Sequence, residues 1–436
     1  MISREGFVIL LQRIWQAFAG VVTVVLVARY LTPYQQGWYY AFTSLAALFA
    51  LFELGLSSAI LQSSAIYFQE IKFNLNNPFE KFQSYIRRAF YEYLKVVILY
   101  FSVMIVFGLF YFHAKESQGE LIQWTIPWVV LIIVTSCSLM LYPFLSILEG
   151  MGLINEAYAV RLFQGVGGSI ASWVTIAGGG FLWATVVSPT VAVIVAILWL
   201  IWSKKNFISH LFKYSNNNAF NWDRDVKPLQ RKIGITWVGA FLMSQLATPI
   251  LFYTTNPVIA GQMGLSLTFA HMIGHLAQVP IAKSVPNMAK AVNRKSWGEF
   301  NFLINRGLLE LLGIFMLITS FSAGAYELLL PAEYFNRLLP KEELLKLAVF
   351  VLLYQLCATL ATHLRAFNQE PLAPVYALGA TVTLAGSIFV ASEKGSSGVV
   401  DIMLFTQLLF VFPVSLLVWR YCINNWRQTK FQCYET

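Results

Sequence analysis

The chain has 436 residues, of which 58% are hydrophobic and 12% charged, and its mean hydropathy is +0.63. Soluble domains carry about 25% charged residues, so this composition excludes an ordinary soluble globular protein. The net charge of +9 would raise nucleic acid as a partner in a soluble chain; here it reads as a topological signal, and no nucleic-acid partner is expected.

Most of the chain lies in apolar runs of about 20 residues, the length that a bilayer crossing needs. Lipid accepts only helices or closed barrels, and barrel strands would be short and alternating. The expected fold is therefore all-α and polytopic. The four cysteines, Cys137, Cys357, Cys422 and Cys433, form no CxxC pair, so no disulfide is expected. No cofactor motif is present.

At the N-terminus Arg4 precedes an apolar run, and Ala17-Phe18-Ala19 imitates a signal cleavage site. Gln12, Arg13 and Gln16 interrupt that run, which continues to Ala28, so it reads as an uncleaved first span. Next comes RYLTPYQQGWYYAFTSLAALFALFELGL, from Arg29 to Leu56, in which a turn at Thr32-Pro33 closes one apolar run before another opens at Trp38. Proline cannot extend the first helix, and glycine frees the start of the next segment. The pattern recurs at YTTNPVIAGQMGL, where Pro257 and Gly261 stand 224 residues beyond Pro33 and Gly37. An echo at half the chain length implies two related halves.

Twelve spans are predicted: 6–28, 38–61, 93–113, 124–147, 156–177 and 181–202, then 233–254, 258–282, 304–328, 344–364, 372–391 and 399–420. Lys and Arg collect in alternate loops. Lys72, Lys81, Arg87 and Arg88 fall in one, seven basic residues from Lys204 to Lys232 in another, and Lys283, Lys290, Arg294 and Lys295 in a third. The same set of segments takes in Arg4, Arg365, Arg427 and Lys430, whereas the alternate loops hold only Arg29, Lys115, Arg337, Lys341 and Lys394. By the positive-inside rule both termini are cytoplasmic. The polar stretch 203–232, with Ser215-Asn216-Asn217-Asn218, reads as a cytoplasmic linker between an N-terminal six-helix bundle (1–202) and a C-terminal one (233–436). An even number of spans per half makes the repeat parallel. In NPFEKFQSYIRRAF, residues 77–90, Phe79, Phe82, Ile86 and Phe90 share one helical face. That fits a helix lying flat on the inner leaflet or an extension of the third span.

Ionisable groups inside spans are costly and usually face a cavity or a partner. At membrane depth, away from the span ends, the candidates are Arg13, Glu53, Arg161, His271, His275 and Glu310, joined by Gln16, Gln164 and Gln245. Arg13 lies about 10 Å from the cytoplasmic end of its span and Glu53 about 12 Å from its own, at 1.5 Å per residue. Arg161, His275 and Glu310 fall at similar depths, which suggests a cation-lined cavity open to the inside. Arg13 and Glu53 could instead form a structural ion pair, and Arg161 could snorkel. The HMIGH segment at 271–275 lacks the glutamate of a zinc HExxH motif. Its histidines could pack through hydrogen bonds or carry a transported proton.

The stretch RYLTPYQQGWYYAF with LFELGL, the segment SILEGMGLINEAYAVRLFQG at 146–165 and HLRAFNQEPLAPVYALG at 363–379 resemble polysaccharide flippases (Wzx-type O-antigen translocases) of the multidrug/oligosaccharidyl-lipid/polysaccharide (MOP) superfamily. The resemblance implies two six-helix bundles around a central cavity. It implies a non-enzymatic transporter of the bacterial inner membrane, whose substrate is an undecaprenyl-pyrophosphate-linked oligosaccharide turned from the inner to the outer leaflet. Pyrophosphate needs cations, and the lipid tail can remain in the bilayer. In this family spans one, two, seven and eight line the lateral gap; here they carry Arg13, Gln16, Glu53, Gln245, His271 and His275. On the repeat Arg13 aligns with Trp237 and Glu53 with Ala277, so the charges are not duplicated. Protons, sodium or the pull of polysaccharide polymerase machinery are the candidate drivers. A cation-coupled multidrug exporter would want more acid in the cavity. A membrane glycosyltransferase would want a catalytic acid in the first outer loop, Tyr30 to Gly37, which has none, and a polymerase would want a large outer loop.

Overall fold

The computed structural model describes residues 4–72, 78–115, 122–211, 221–329, 336–367 and 369–432. It is nearly all helix, and no strand occurs among the described residues. The chain divides into two compact units, 1–237 and 238–436. All twelve expected spans fall on helices. Among the described residues seven helical stretches are long and apolar enough to cross a membrane, or nine when each of two bent pairs counts as one span. One of the seven, Ala373–Arg427, covers two expected spans.

The first unit holds α1 (Arg4–Tyr30), α2 (Pro33–Ala46), α3 (Phe49–Glu53), α4 (Leu56–Lys72), α5 (Pro78–His113), α6 (Thr125–Gly150), α7 (Ile154–Ala177), α8 (Trp183–Leu211), α9 (Trp222–Asp225) and the start of α10 (Lys227–Gln245). The start of α2 is written in its sequence. The Gln35 N–H donates to the Thr32 hydroxyl at 3.2 Å, the Thr32 N–H donates to the Gln35 side chain at 3.1 Å, and Pro33 needs no donor. This reciprocal box satisfies two otherwise orphaned groups. The span then breaks at Leu54 and Gly55, both left-handed (φ 49° and 69°), with a bend of 44°.

An aromatic core joins α2, α5 and α6. Phe112 lies 4.6 Å from Phe42 and 5.4 Å from Trp38, ring centre to centre. Trp128 donates to the Met104 carbonyl at 3.2 Å and lies over Gly108, where a Cβ would come within 2.0 Å of its indole nitrogen.

At 36 residues α5 is about 54 Å long, well beyond a hydrocarbon core of about 30 Å. Its first turns are residues 78–90, and protein covers the described part of their apolar face; the Phe79 side chain lies outside the described residues. Phe82, Ile86 and Phe90 are buried in a core with Tyr67 of α4 and Trp222 of α9. An apolar face that protein already covers has nothing left to offer the leaflet, so the extended-span reading holds. Of the polar stretch 203–232, residues up to 211 continue α8 and residues from 222 are helical; Ser215–Asn218 lie outside the described residues.

The second unit holds the rest of α10, α11 (Ala247–Thr254), α12 (Pro257–Ala277), α13 (Val279–Asn293), α14 (Trp297–Leu329), α15 (Lys341–Arg365), α16 (Ala373–Phe405), a π-helical turn (Thr406–Val411) and α17 (Phe412–Gln432). Helix α12 opens as α2 does: Asn256 accepts from the Ile259 N–H at 2.9 Å, and Pro257 comes first. The α10–α11 pair bends by 45°. Left-handed Gly395 (φ 58°) interrupts α16 between its two expected spans. The core of this unit gathers Met243, Met288, Phe300, Tyr376 and Val411.

Candidate functional site

Within the first unit one polar cluster draws on α1 and α3 to α7. Glu53 ends α3, directly before the break, and its Oε1 accepts from the Ser57 backbone N–H at 3.0 Å, from the Ser57 hydroxyl and from the Tyr93 hydroxyl at 2.7 Å. Ser57 stands in the first turn of α4, so the carboxylate caps that helix at its positive end. The left-handed Leu54 costs roughly 1–2 kcal/mol, and the cap offsets it. Ser57 is four residues past Glu53, a spacing legible in the sequence; Tyr93 could be placed only by the fold.

Arg161 of α7 is not a free cation. Its guanidinium lies 2.7 Å from the Glu149 carboxylate of α6 and 5.1 Å from the Tyr158 ring centre. Both partners are half-buried, with side chains 31% and 16% exposed. The short α6–α7 turn, with left-handed Gly152 (φ 85°), folds Glu149 back onto Arg161. Snorkelling is unnecessary because the charge is neutralised locally. Gln164 is also committed: its Nε2 donates to the Ala192 carbonyl of α8 at 2.9 Å, which ties two helices together.

Arg13 behaves otherwise. It is exposed on the surface of the unit, and no ion pair or hydrogen bond of its side chain is found among the described residues. The expected alternative, an Arg13–Glu53 ion pair, is absent, because Glu53 spends its contacts on hydroxyls and a helix end. Arg13 is nonetheless part of the cluster. Its field reaches the Tyr158 phenol together with those of Glu149 and Arg161, while Tyr142 feels both Glu53 and Arg161. Gln16, one turn along α1, is exposed beside it.

The other three expected residues belong to the second unit. Gln245 is half-buried at the bend between α10 and α11. His271 is 8% exposed, its ring packs edge-on to Tyr354 at 5.8 Å, and its Nε2 finds no hydrogen-bond partner. It therefore packs through its ring rather than through a hydrogen bond at that nitrogen. His275 is exposed, with its ring 6.3 Å from that of His271. Glu310, also expected at depth, pairs with Arg306 one turn away at 2.7 Å. No group of three metal-ligating side chains occurs among the described residues.

No family model matches the chain, and no curated protein is significantly similar to it in sequence. Solved structures are similar in fold. An inward-facing multidrug resistance MATE family transporter of the MOP superfamily aligns at a TM-score of 0.65 and 15% identity, over 96% of each chain. A MOP superfamily transporter from Pyrococcus furiosus, described as having a binding pocket of reversed polarity, aligns at 0.59 and 13%, over 97% of this chain and 95% of that one. The lipid II flippase MurJ, in an inward closed conformation, aligns at 0.56 and 14%, over 95% of this chain and 87% of that one. At such identities likeness speaks for architecture alone: the chain has the fold of the MOP superfamily transporters.

Proposed function

We propose that the chain is a flippase that carries an undecaprenyl-pyrophosphate-linked oligosaccharide, such as an O-antigen or related repeat unit, from the inner to the outer leaflet by alternating access. The observation that supports this reading is the contrast within the cluster. Arg161 is neutralised by Glu149 and Glu53 is occupied as a helix cap, while the Arg13 guanidinium, one turn from Gln16, has no ion pair or hydrogen bond among the described residues. A guanidinium grips phosphate through paired hydrogen bonds that an ammonium does not reproduce, and neighbouring amides and phenols suit sugar hydroxyls. In this reading the fixed positive charge that meets the head group is Arg13 of the first unit.

The multidrug-exporter reading draws on the MATE-like fold. It would need a carboxylate to hold a cationic drug, and Oε1 of Glu53 already accepts three hydrogen bonds as a helix cap. The flippase reading places the protein in the bacterial inner membrane with both termini cytoplasmic, next to the polymerase machinery that consumes its product. Coupling to protons or sodium belongs to the same proposal, with His275 and His271 as the residues that would answer to a proton gradient. Transport by reconstituted protein should then lose its pH-gradient response in the His271→Gln, His275→Gln double variant.

The direct test is Arg13→Ala. A charge-assisted hydrogen bond contributes about 1.5–3 kcal/mol, so the variant should lose surface polysaccharide while reaching the membrane at normal level, and Arg13→Lys should be partly impaired. Because no Arg13–Glu53 pair exists to be rescued, Arg13→Ala with Glu53→Ala should stay inactive. Normal polysaccharide output from Arg13→Ala would discard the head-group role.

A further inference from the structure

The end of the mid-chain polar stretch is built into the first unit. Asn221 accepts from the Arg224 N–H at 3.3 Å and so caps the four-residue α9. This small helix turns Trp222 and Val226 inward, where they are 5% and 0% exposed. Trp222 stacks on Tyr85 of α5, with ring centres 6.2 Å apart and planes within 15°. Ile60 of α4 and Ile147 of α6 complete the same core. A few residues later α10 reaches the break in span two. A Cβ on Gly234 would lie 2.6 Å from the Leu54 carbonyl oxygen, and one on Gly55 would lie 2.8 Å from Cγ2 of Ile233. The two segments thus pass closely at their backbones, with glycine on each side, at the left-handed residue that follows Glu53.

We infer that residues 221–237 form a strap, anchored by Trp222, that holds the break of span two in its bent form and so keeps Glu53 in place as the cap of α4. Release of the anchor frees Leu54 and Gly55, and the carboxylate with them. Surface charge has a smaller part in the anchor. Asp223 pairs with its own helical neighbour Lys227 at 2.7 Å, and Arg88 and Lys95 both reach Glu92, at 2.9 and 3.0 Å. Exposed pairs of this kind are screened by solvent, whereas the buried indole is not. The strap regulates the cluster proposed above to bind substrate, and only that consequence rests on the functional proposal; the mechanical link needs no substrate.

Hydrogen exchange read by mass spectrometry, on the full chain in lipid nanodiscs without substrate, tests the link. In the unmodified protein the amides of 55–60 and of 228–237 should open together, as one cooperative unit. Trp222→Ala should speed exchange at 55–60 about ten-fold, and Trp222→Phe should restore most of the protection. Residues 162–172 of α7, whose partners are α1, α6 and α8, should not change. Protection at 55–60 that persists while 228–237 exchanges freely, in either protein, overturns the inference. If Trp222→Ala does not accumulate, Gly234→Ala probes the other end, since its methyl group does not fit against the Leu54 oxygen. Unchanged exchange at 55–60 in that variant overturns it equally. An inactive Arg13→Ala variant says nothing about this exchange, and unlinked exchange says nothing about Arg13, so the two ideas fail separately.

Discussion

In the first unit α2 starts at Pro33 behind its Thr32 cap, and the span is interrupted 21 residues later at Leu54; in the second, α12 starts at Pro257 behind Asn256 and is interrupted 21 residues later at Gln278. The interruptions differ in hand. Leu54 is left-handed (φ 49°, ψ 39°), whereas Gln278 stays right-handed (φ −79°, ψ −11°). The residues on either side account for this. Gly55 accepts a positive φ readily, while Val279 is β-branched and resists it. Glu53 supplies a carboxylate to cap α4; its counterpart Ala277 supplies nothing, and the Gln278 amide instead donates to the Gln355 carbonyl at 2.7 Å and to Thr359 Oγ1 at 3.1 Å on α15. The repeat thus sets where a span is interrupted, and local chemistry sets whether that place is a charged bend or a neutral stitch to a neighbouring helix.

The comparison breaks most severely if the charge is moved. Ala277 is fully buried, and Ala277→Glu would place a carboxylate where no capping donors wait for it. A buried unpaired charge costs several kcal/mol or more, so this variant should fail to accumulate in membranes, as judged by immunoblot of membrane fractions. Glu53→Ala comes next. It removes a helix cap and the acceptor shared by the Tyr93 and Ser57 hydroxyls, which keep only their bond to each other, a loss of about 2–4 kcal/mol, visible as a lower melting temperature in detergent. Glu53→Gln keeps one acceptor oxygen and should lose less than Glu53→Ala; equal losses would mean that the cap depends wholly on the charge.

Gln278→Leu removes two hydrogen bonds between helices and should lower stability by about 1–2 kcal/mol, a smaller effect than Glu53→Ala in the same melting assay. If it proves the larger, the neutral stitch is the stronger of the two devices. The smallest effect belongs to Asp223→Asn on the strap. Its hydrogen bond to the Lys227 ammonium holds the Asp223 carboxyl below the usual carboxylate range. Any stabilisation is therefore present at neutral pH and is lost as pH falls through that lowered value. The group is fully exposed, so Asp223→Asn should leave the melting temperature unchanged at pH 7; a clear drop would show that charge, and not the Trp222 anchor, holds the strap.

Much of the cluster was half legible. Glu53, Arg13 and Arg161 stood out because charge inside an apolar run is conspicuous. Their partners did not, because Tyr93 and Tyr142 lie far away along the chain, inside runs where an aromatic residue looks like any other apolar one. Glu149 was readable in principle: it precedes a Gly-Met-Gly turn and stands 12 residues before Arg161, a spacing that a tight helical hairpin can close. Residues 77–90 show the opposite limit. Their amphipathic face was correctly placed by helical periodicity, but the pattern is the same whether lipid or protein covers it.

Composition and periodicity by themselves determined that this chain is a bundle of membrane-length helices, because nothing else buries so much apolar backbone in lipid. The Thr32-Pro33 and Asn256-Pro257 caps act within four residues and so lie in the sequence too, although the second span was expected to open only at Trp38 and α2 begins at Pro33. What only the tertiary structure decided is which polar groups remain free. Whether a guanidinium meets a carboxylate depends on which helices pack side by side, and this packing gave Arg161 a partner in Glu149, gave Glu53 to a helix end, and left Arg13 without one among the described residues.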